Sequence, residues 1–407
     1  MANKRILLSA DSPNLGTGFG RVARELILQL QDEFDIDVIS PYTNLPISYF
    51  GKNTTIYSLN VQGKESLPKQ TEELLRAGKY DLFYIISPFD VVSDYCKYFK
   101  QRQGGLPPVV AYIPVEQEYL NGWQVANLDF LAKVVLYHPE AARIFESTGA
   151  NKPENIVSIG HGVDLTNFKP LENKVMLKET SPFGLLEENP FIITVATNQW
   201  RKNPFPAIAG FLLFANQHPE LGAKYYIHMP RGGYAGWLPR MVETAKNYLQ
   251  YATGKEINHS AIILPSAEDP YITDEKLNEL YNMADAVLST SIAEGWNFML
   301  TEAMAAKTLC IAPLHTSHTY ILGSEAERGV PITIDDFEMC TSYGYNEVAR
   351  HTVSVMAIYE ALKALYVDKL YEKESIVNEA YKFVQQENLS WEYVGKQWAA
   401  LFRSVIK

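Results

Sequence analysis

Short apolar runs that alternate with helical or polar segments are the feature that most restricts the fold of this 407-residue chain. In the first half the runs lie at residues 6–9, 35–40, 80–87, 109–114, 133–138 and 156–160. In the second half they lie at residues 191–197, 224–229, 261–265, 284–289, 309–313 and 331–334. Strands that alternate with helices form parallel sheets that carry helices on both faces. The pattern therefore predicts an α/β protein with two parallel sheets.

Two domains are expected because the chain is too long for one ordinary hydrophobic core. We place them at residues 1–168 and 169–388. The boundary falls in residues 168–190, which are rich in charge, proline and glycine and which we interpret as a linker. Residues 389–407 read as an amphipathic helix that we expect to pack back onto the first domain. Its predicted apolar stripe consists of Trp391, Val394, Trp398, Leu401 and Val405.

Composition argues against several classes of protein. Apolar residues at 47% and charged residues at 20% are typical of a folded globular chain, and a net charge of −11 offers no basic footprint for nucleic acid. Three widely spaced cysteines, Cys96, Cys310 and Cys340, fit a reducing compartment and form no metal cluster. The first apolar run is too short for a signal peptide, and no run reaches the ~20 residues that span a bilayer. We therefore expect a cytoplasmic protein without a transmembrane segment.

The strongest candidate site lies at residues 289–306. An apolar run ends there, a glycine-containing turn follows, and residues 299–306 are mostly good helix formers. Glu294 and Glu302 bracket the turn with seven residues between them. Open α/β sheets bind phosphate-bearing ligands where a strand, a tight turn and a helix follow one another. The stretch predicts a nucleotide-sugar site.

A second candidate is the loop after the first apolar run, which begins at Asp11 and contains Gly16, Gly18 and Gly20. A helix is predicted at residues 21–30, with Val22, Leu26 and Leu30 on one face. Glycines at such a position let the backbone approach a phosphate or a sugar, or they only pack the helix tightly against the strand. Their spacing does not match the dinucleotide-binding fingerprint, which excludes a dehydrogenase.

Polar residues follow two other predicted strands of the first half, and a histidine ends a third. Asp90 and Glu116 come after the runs at 80–87 and 109–114, where ligands of parallel sheets bind. For Asp90 a helix N-cap is favoured. For Glu116 a ligand contact and a structural role stay open. His138 precedes Pro139, a good first helical residue, and is expected to cap that helix.

Several motifs, spread through the chain in one order, resemble those of a known family. They are Gly16 to Arg21, His161-Gly162-Val163-Asp164 with Phe168-Lys169-Pro170, Gln199 to Asn203, Glu294 to Ala306, and Ser390-Trp391-Glu392. The chain resembles the GT-B glycosyltransferases of the large retaining family that includes sucrose synthase and glycogen synthase, over essentially its whole length. The resemblance implies two Rossmann-like domains that face each other across a cleft, with the acceptor side in the first and the sugar donor in the second.

The resemblance also implies roles for individual residues. Arg201 and Lys202 follow a strand and suit a diphosphate, since arginine offers a planar fork and lysine a point charge; the alternative is two solvated loop charges. Glu294 is implied to hold the donor sugar and Glu302 the ribose; a core-facing Glu302 paired with a cation is the alternative. We count Arg201, Lys202, Glu294 and Glu116 as candidate catalytic residues. Candidate donor-binding residues are Gly16, Thr17, Gly18, Phe19, Gly20, His161, Gly295, Trp296, Asn297, Phe298, Met299 and Glu302.

The chain departs from the family pattern at three places. Asn297 stands where the family has a glycine, and asparagine tolerates a left-handed turn better than most residues. Lys307 stands at another family glycine and is expected to alter the end of the helix. Glu116 lies where many members have a histidine, so an acceptor- or sugar-positioning role is easier to defend for it than a catalytic one.

The implied reaction is transfer of a hexose of the glucose or mannose type from a UDP- or GDP-linked donor to an acceptor hydroxyl, with retained configuration. No metal or other cofactor is expected, because cations and helix amides would stabilise the leaving diphosphate. The acceptor could be a saccharide, a lipid, a protein or a modified DNA base. The alternative outside enzymes is a non-catalytic scaffold that binds sugar nucleotides. Four aromatic residues could stack a base or sugar, although buried core is favoured for them: Tyr225, Tyr226, Tyr234 and Trp237.

Overall fold

The computed structural model describes residues 3–41, 47–59, 66–102, 104–120, 122–146, 148, 153–268, 270–334, 337–340 and 348–406. The chain divides into two compact units. Unit 1 consists of Met1–Gly162 together with Glu387–Lys407, and unit 2 of Val163–Gln386.

Unit 1 contains an eight-stranded sheet in the order β3-β4-β2-β1-β5-β6-β7-β8. Its strands are β1 Lys4–Ser9, β2 Phe34–Pro41, β3 Ser48–Phe50, β4 Thr54–Leu59, β5 Leu82–Ile86, β6 Val109–Ile113, β7 Lys133–Leu136 and β8 Ile156–Ser158. Its helices are α1 Gly18–Leu30, α2 Ser66–Gly78, α3 Phe89–Lys100, α4 Gly122–Val125 and α5 Pro139–Glu146. All pairs are parallel except β3 with β4. The six predicted strands of the first half are present, and β3 and β4 were not predicted.

Unit 2 contains a parallel six-stranded sheet in the order β11-β10-β9-β12-β13-β14 and a separate antiparallel pair, β15-β16. Its strands are β9 Phe191–Val195, β10 Lys224–His228, β11 Ile262–Ile263, β12 Ala286–Leu288, β13 Leu309–Pro313, β14 Val330–Ile332, β15 Phe337–Cys340 and β16 Val348–His351. Its helices are α6 Lys174–Glu179, α7 Pro204–Gln217, α8 Leu238–Thr253, α9 Asp274–Met283, α10 Phe298–Ala305, α11 Ser317–Leu322, α12 Val355–Tyr366 and α13 Lys373–Val384. The predicted α/β class with two parallel sheets is confirmed.

Helix α14, Trp391–Val405, lies in unit 1 although it follows unit 2 in the sequence. Trp398 is fully buried, and its ring lies 4.7 Å from that of Tyr84 and 4.9 Å from that of Tyr112. The predicted apolar stripe needs a correction, because Phe402 is buried whereas Leu401 and Val405 are only half-buried. The helix is therefore rotated slightly from the orientation that the sequence pattern predicted.

Residues 168–190 are not a loose linker. Phe168 is fully buried, and its ring lies 6.0 Å from that of Tyr281 in α9. The backbone amides of Lys169 and Leu171 donate to the side-chain oxygens of Asn278 and Asn282, at 3.0 and 2.8 Å. Side-chain amides thus satisfy backbone groups that a helix or a sheet would otherwise satisfy, and they fix this stretch within unit 2.

Candidate functional site

The direction in which the chain adds strands to the sheet of unit 2 reverses between β9 and β12. From β9 the chain proceeds outward through β10 and β11, and it then returns to the other side of β9 to form β12, β13 and β14. Ligands of open α/β sheets bind outside the carboxyl ends of the strands at such a switch point. The loops that leave β9 and β12 at this edge carry Arg201, Lys202 and Glu294.

Hydrogen bonds join these two loops. The amide of Ile292 donates to the carbonyl of Arg201 at 2.9 Å, and the Thr290 hydroxyl lies 3.1 Å from the carbonyl of Lys202. A guanidinium nitrogen of Arg201 donates to the carbonyl of Ala293 at 2.8 Å. The loops therefore hold both cationic residues against the Glu294 turn.

Glu294 forms salt bridges with both cations. One carboxylate oxygen lies 3.0 Å from Nη1 of Arg201, and the other contacts Nζ of Lys202. Burial alone would raise the pKa of Glu294, but the charges of Lys202 and Arg201 hold it well below its usual range. The side chains of Glu294, Arg201 and Lys202 are 5%, 21% and 14% exposed, so the excess positive charge is the part that solvent reaches. This cluster suits an anionic ligand.

Helix α10 begins directly after the Glu294 turn. Asn297 precedes it with φ 92° and ψ 82°, a left-handed conformation of the kind that asparagine tolerates. Its side chain does not cap the first-turn amides; it donates to Oγ of Ser289 at 3.1 Å and lies 2.9 Å from Nε2 of His318. Amides in the first turn of a helix attract anions, and this turn begins at Phe298, four residues after Glu294.

Glu302 lies one turn inside α10 and is 4% exposed. One of its carboxylate oxygens accepts a hydrogen bond of 2.7 Å from the hydroxyl of Tyr281. At the other end of α10, Lys307 has φ 56°, and its ammonium lies 4.7 Å from the centre of the Tyr381 ring. The amides of Lys307 and Thr308 donate to the carbonyls of Met304 and Ala303, as at an ordinary helix end, so the expectation that Lys307 alters the end of the helix is wrong.

The other predicted donor-binding residues of unit 2 surround the same turn. Gly295 and Trp296 are buried, and the carbonyl of Trp296 accepts from Oγ of Ser317 at 2.7 Å. Phe298 is half-buried, and the sulfur of Met299 accepts from the amide of Val195 at 3.1 Å. The structure therefore brings Arg201, Lys202 and the residues of the Glu294 turn into one place.

In unit 1 the corresponding switch point lies between β1 and β5, and the predicted glycine loop leaves β1 there. The helix begins earlier than predicted, at Gly18, so Gly18, Phe19 and Gly20 form the first turn of α1 rather than a loop. The reason is Thr17, whose hydroxyl caps the amide of Gly20 at 3.0 Å and donates to Asp11 at 2.6 Å.

The three glycines differ in what surrounds them. A Cβ on Gly20 would lie 2.7 Å from the carbonyl of Ser12, so close packing alone explains this residue. A Cβ on Gly16 or Gly18 would meet no described atom within 4 Å. Packing therefore does not explain Gly16 and Gly18, and the ligand interpretation stays open for them.

Glu116 is half-buried after β6. Burial raises the pKa of the Tyr137 hydroxyl well above its ordinary value, and the charges of Glu116 and Asp11 raise it further. The carboxylates of Glu116 and Asp11 therefore both act on this hydroxyl, although β5 lies between their strands β6 and β1. Asp11 carries no motif of its own in the sequence, although it follows β1 as Glu116 follows β6.

His161 is a buried residue of unit 1. Its Nδ1 lies 2.8 Å from the hydroxyl of Tyr112, and its ring centre lies 4.3 Å from that of Tyr137. Burial lowers the pKa of His161 to about 3, so the ring is neutral at physiological pH. These contacts are typical of a core histidine, and the donor-binding role of His161 stays a prediction.

Two predicted caps have different outcomes. Nδ1 of His138 accepts from the amide of Ala141 at 3.2 Å, so the cap of α5 is confirmed. The predicted N-cap role of Asp90 is wrong, because Pro88 occupies the cap position of α3 and Asp90 lies exposed in the first turn. A carboxylate there still interacts favourably with the helix dipole.

Of the four aromatic residues after β9, Tyr225 is 1% exposed and belongs to the core. Tyr226 is half-buried, whereas Tyr234 and Trp237 are 69% and 39% exposed. The core interpretation is therefore wrong for Tyr234 and Trp237.

Within the described residues, no three His, Cys, Asp or Glu side chains group as metal ligands would, and no helix there is long and apolar enough to cross a membrane.

The two parallel-sheet units define the fold of the GT-B glycosyltransferases. The chain is similar to the sucrose-phosphate synthase of Thermosynechococcus elongatus, with 16% identity, a TM-score of 0.73 and 99% coverage of both chains. It is similar to a UDP-forming α,α-trehalose-phosphate synthase of Burkholderia vietnamiensis (11% identity, TM-score 0.71), over 99% of this chain and 97% of that one. A third similar structure is Anabaena HepE in complex with UDP and glucose (13% identity, TM-score 0.66, 99% and 100% coverage). At these identities the likeness shows the fold; no family model and no curated protein sequence matches the chain.

Proposed function

We propose that the protein is a glycosyltransferase that moves a hexose from a nucleoside diphosphate sugar to an acceptor hydroxyl, with retention of configuration. The observation that carries the proposal is the cluster of Arg201, Lys202 and Glu294 at the switch point of unit 2, directly before the start of α10. Two of the similar structures support the class of donor, since one protein is named as UDP-forming and the other was solved with UDP and glucose.

The diphosphate of the donor competes with Glu294 for the two cations. Arg201 offers a planar fork to two phosphate oxygens, and Lys202 a compact charge. When the diphosphate binds them, the carboxylate of Glu294 becomes free to accept hydrogen bonds from sugar hydroxyls. The same group thus holds the cations in place before binding and takes a sugar-holding role afterwards.

Charge stabilisation accounts for most of the proposed catalysis. The diphosphate gains negative charge as the glycosidic bond breaks, and groups already aimed at that charge lower the barrier most. Arg201, Lys202 and the first amides of α10 are such groups. In this proposal they replace a metal ion, and the donor is a UDP- or GDP-linked co-substrate without a further cofactor.

Two carboxylates complete the proposal. Glu302, one turn inside α10, holds the ribose hydroxyls. Glu116 orients the acceptor hydroxyl in unit 1, next to Asp11 and Tyr137. Neither acts as a nucleophile in this scheme.

The first test is binding. We expect UDP or GDP, or one of their glucose or mannose conjugates, to raise the melting temperature of the protein, since a ligand at 100 times its Kd stabilises by about 2.7 kcal/mol. The shift should disappear in Arg201→Ala and Lys202→Ala, with circular dichroism to confirm folding. Lys276→Ala is the matched control, because Lys276 pairs with Glu279 on the surface of α9. A wild-type protein that responds to none of these ligands would refute the proposal.

The second test is turnover. With the stabilising donor, we expect release of the nucleoside diphosphate that increases with a hydroxyl-bearing acceptor, and a product whose NMR coupling constants show the donor's anomeric configuration. Donor binding with no release under any condition would instead favour a scaffold that binds sugar nucleotides.

A further inference from the structure

The start of α10 depends on side chains outside the helix. Asn297 is left-handed, a conformation that asparagine tolerates better than most residues but that still costs more than it does for glycine, so contacts from its surroundings stabilise it there. Its side-chain amide contacts Ser289, directly after β12, and His318 in α11. Both contacts are buried. The geometry of the first turn of α10 therefore depends on β12 and α11.

The hydrogen bonds of His318 define its tautomer. Its Nδ1 lies 3.1 Å from the carbonyl of Pro313, which can only accept, so Nδ1 carries the proton. Nε2 is then the acceptor for the amide of Asn297. Burial lowers the pKa of His318 to about 4 although Glu294 opposes the shift, so the ring is neutral at pH 7.

Two more hydrogen bonds tie the histidine segment, residues 315–318, to the Glu294 turn. Nε2 of His315 lies 2.8 Å from the carbonyl of Ser291, and Oγ of Ser317 donates to the carbonyl of Trp296 at 2.7 Å. Between them, Thr316 has φ 48° and ψ −131°, a costly conformation for a β-branched residue. The segment thus contacts both ends of the turn, and its strained backbone is held by those contacts.

We propose that His318 is a positioning residue, which acts through Asn297 to aim the first amides of α10 at the anion held by Arg201 and Lys202. The inference rests on the proposed function for the identity of that anion, a nucleoside diphosphate. His318 itself is fully buried, where it accepts one hydrogen bond from Asn297 and donates another to Pro313.

Two substitutions separate these hydrogen bonds. In His318→Asn the shorter amide can still donate to Pro313 but no longer reaches Asn297. In His318→Gln the longer amide places its oxygen near the former Nε2 and can accept from Asn297. We expect His318→Asn to weaken UDP binding about tenfold, which corresponds to the loss of one hydrogen bond, and His318→Gln to remain within about twofold of wild type, by isothermal titration calorimetry. Equal losses in both variants would overturn the proposal and leave His318 as a packing residue.

A second variant tests whether His318 acts through Asn297. Asn297→Gly adopts the left-handed conformation without help from a side chain. In that background His318→Asn should weaken UDP binding by less than twofold, so the double-mutant cycle should be strongly non-additive. Additive losses would contradict a path through Asn297.

A measurement on the protein without ligand tests the positioning role independently of the proposed function. Hydrogen–deuterium exchange should accelerate at least fivefold at residues 295–300 in His318→Asn and stay near wild type in His318→Gln. If UDP fails to bind wild type but this exchange pattern appears, the proposed function fails and the positioning role stands. Unchanged exchange in His318→Asn would overturn the positioning role.

Discussion

At the scale of single residues, Glu294 contributes both to the stability of unit 2 and to its proposed ligand site. Its carboxylate is buried and satisfies two cations that would otherwise repel each other. Removal of one partner from a buried ion pair is costly, because the other charge stays desolvated. Stability and affinity for a diphosphate should therefore respond in opposite directions when Glu294 is changed.

Glu294→Gln tests this opposition. We expect a loss of about 3 kcal/mol in the free energy of unfolding at pH 7, together with tighter binding of UDP, which no longer competes with a carboxylate. Denaturant titration and calorimetry measure the two effects. A variant that loses stability and UDP affinity together would show that Glu294 organises the cations rather than competes for them.

The same substitution has a defined pH dependence. The pKa of Glu294 is lower in the folded protein than its ordinary value of 4.5, so its stabilising contribution is complete above that value and decreases as the pH falls. The difference in unfolding free energy between wild type and Glu294→Gln should therefore be constant near neutrality and shrink below about pH 4.5.

The sequence predicted the residues of this cluster but not their contacts with one another. Arg201 and Lys202 were assigned to a phosphate and Glu294 to a sugar, whereas the structure joins all three. No local pattern reveals a salt bridge between residues 92 positions apart. No sequence pattern indicated a role for His318 either, since a histidine shortly after a buried strand has no characteristic spacing from its partners.

At the scale of elements, the segment of residues 16–20 at the start of α1 contains one glycine in close packing, Gly20, and two in open space, Gly16 and Gly18. We expect Gly20→Ala to cost about 1–3 kcal/mol, because its Cβ would overlap with the carbonyls of Ser12 and Leu15. Gly16→Ala and Gly18→Ala should fold with wild-type stability, because their Cβ atoms would meet open space. Thermal denaturation measures all three.

The same three variants test the ligand interpretation of this turn. A stable Gly16→Ala or Gly18→Ala protein that loses turnover would show that a ligand needs the space. Full turnover in both variants would show that no ligand needs the space at Gly16 and Gly18.

Strands that the sequence pattern missed are short or polar. Strand β4, with the sequence TTIYSL, has one fully apolar core position, Ile56, and β3 has only three residues, none of them buried. The β15-β16 pair is antiparallel and stands outside the sheet of unit 2, so the alternation of strands and helices could not predict it. The central strands were predictable because both of their faces are buried.

At the scale of the whole molecule, each unit has its own hydrophobic core. We expect Trp398→Ala to remove about 3–5 kcal/mol from unit 1, since it deletes a fully buried indole between Tyr84, Tyr112 and Phe402. Leu401→Ala, at a half-buried position of the same helix, should cost much less. Hydrogen exchange resolved along the chain should show faster exchange in β1 and β5 and little change in β9 and β12. Equal acceleration in both units would contradict independent cores.

The position of α14 has a consequence for synthesis of the chain. The aromatic side chains that cover Tyr84 and Phe34 belong to a helix encoded after the last residue of unit 2. On the ribosome, unit 2 can therefore fold before α14 is synthesised, whereas the sheet of unit 1, although synthesised first, still lacks this helix. A nascent chain stalled within unit 2 exposes apolar surface in its earliest-made part, and that part is where a chaperone would find its binding site.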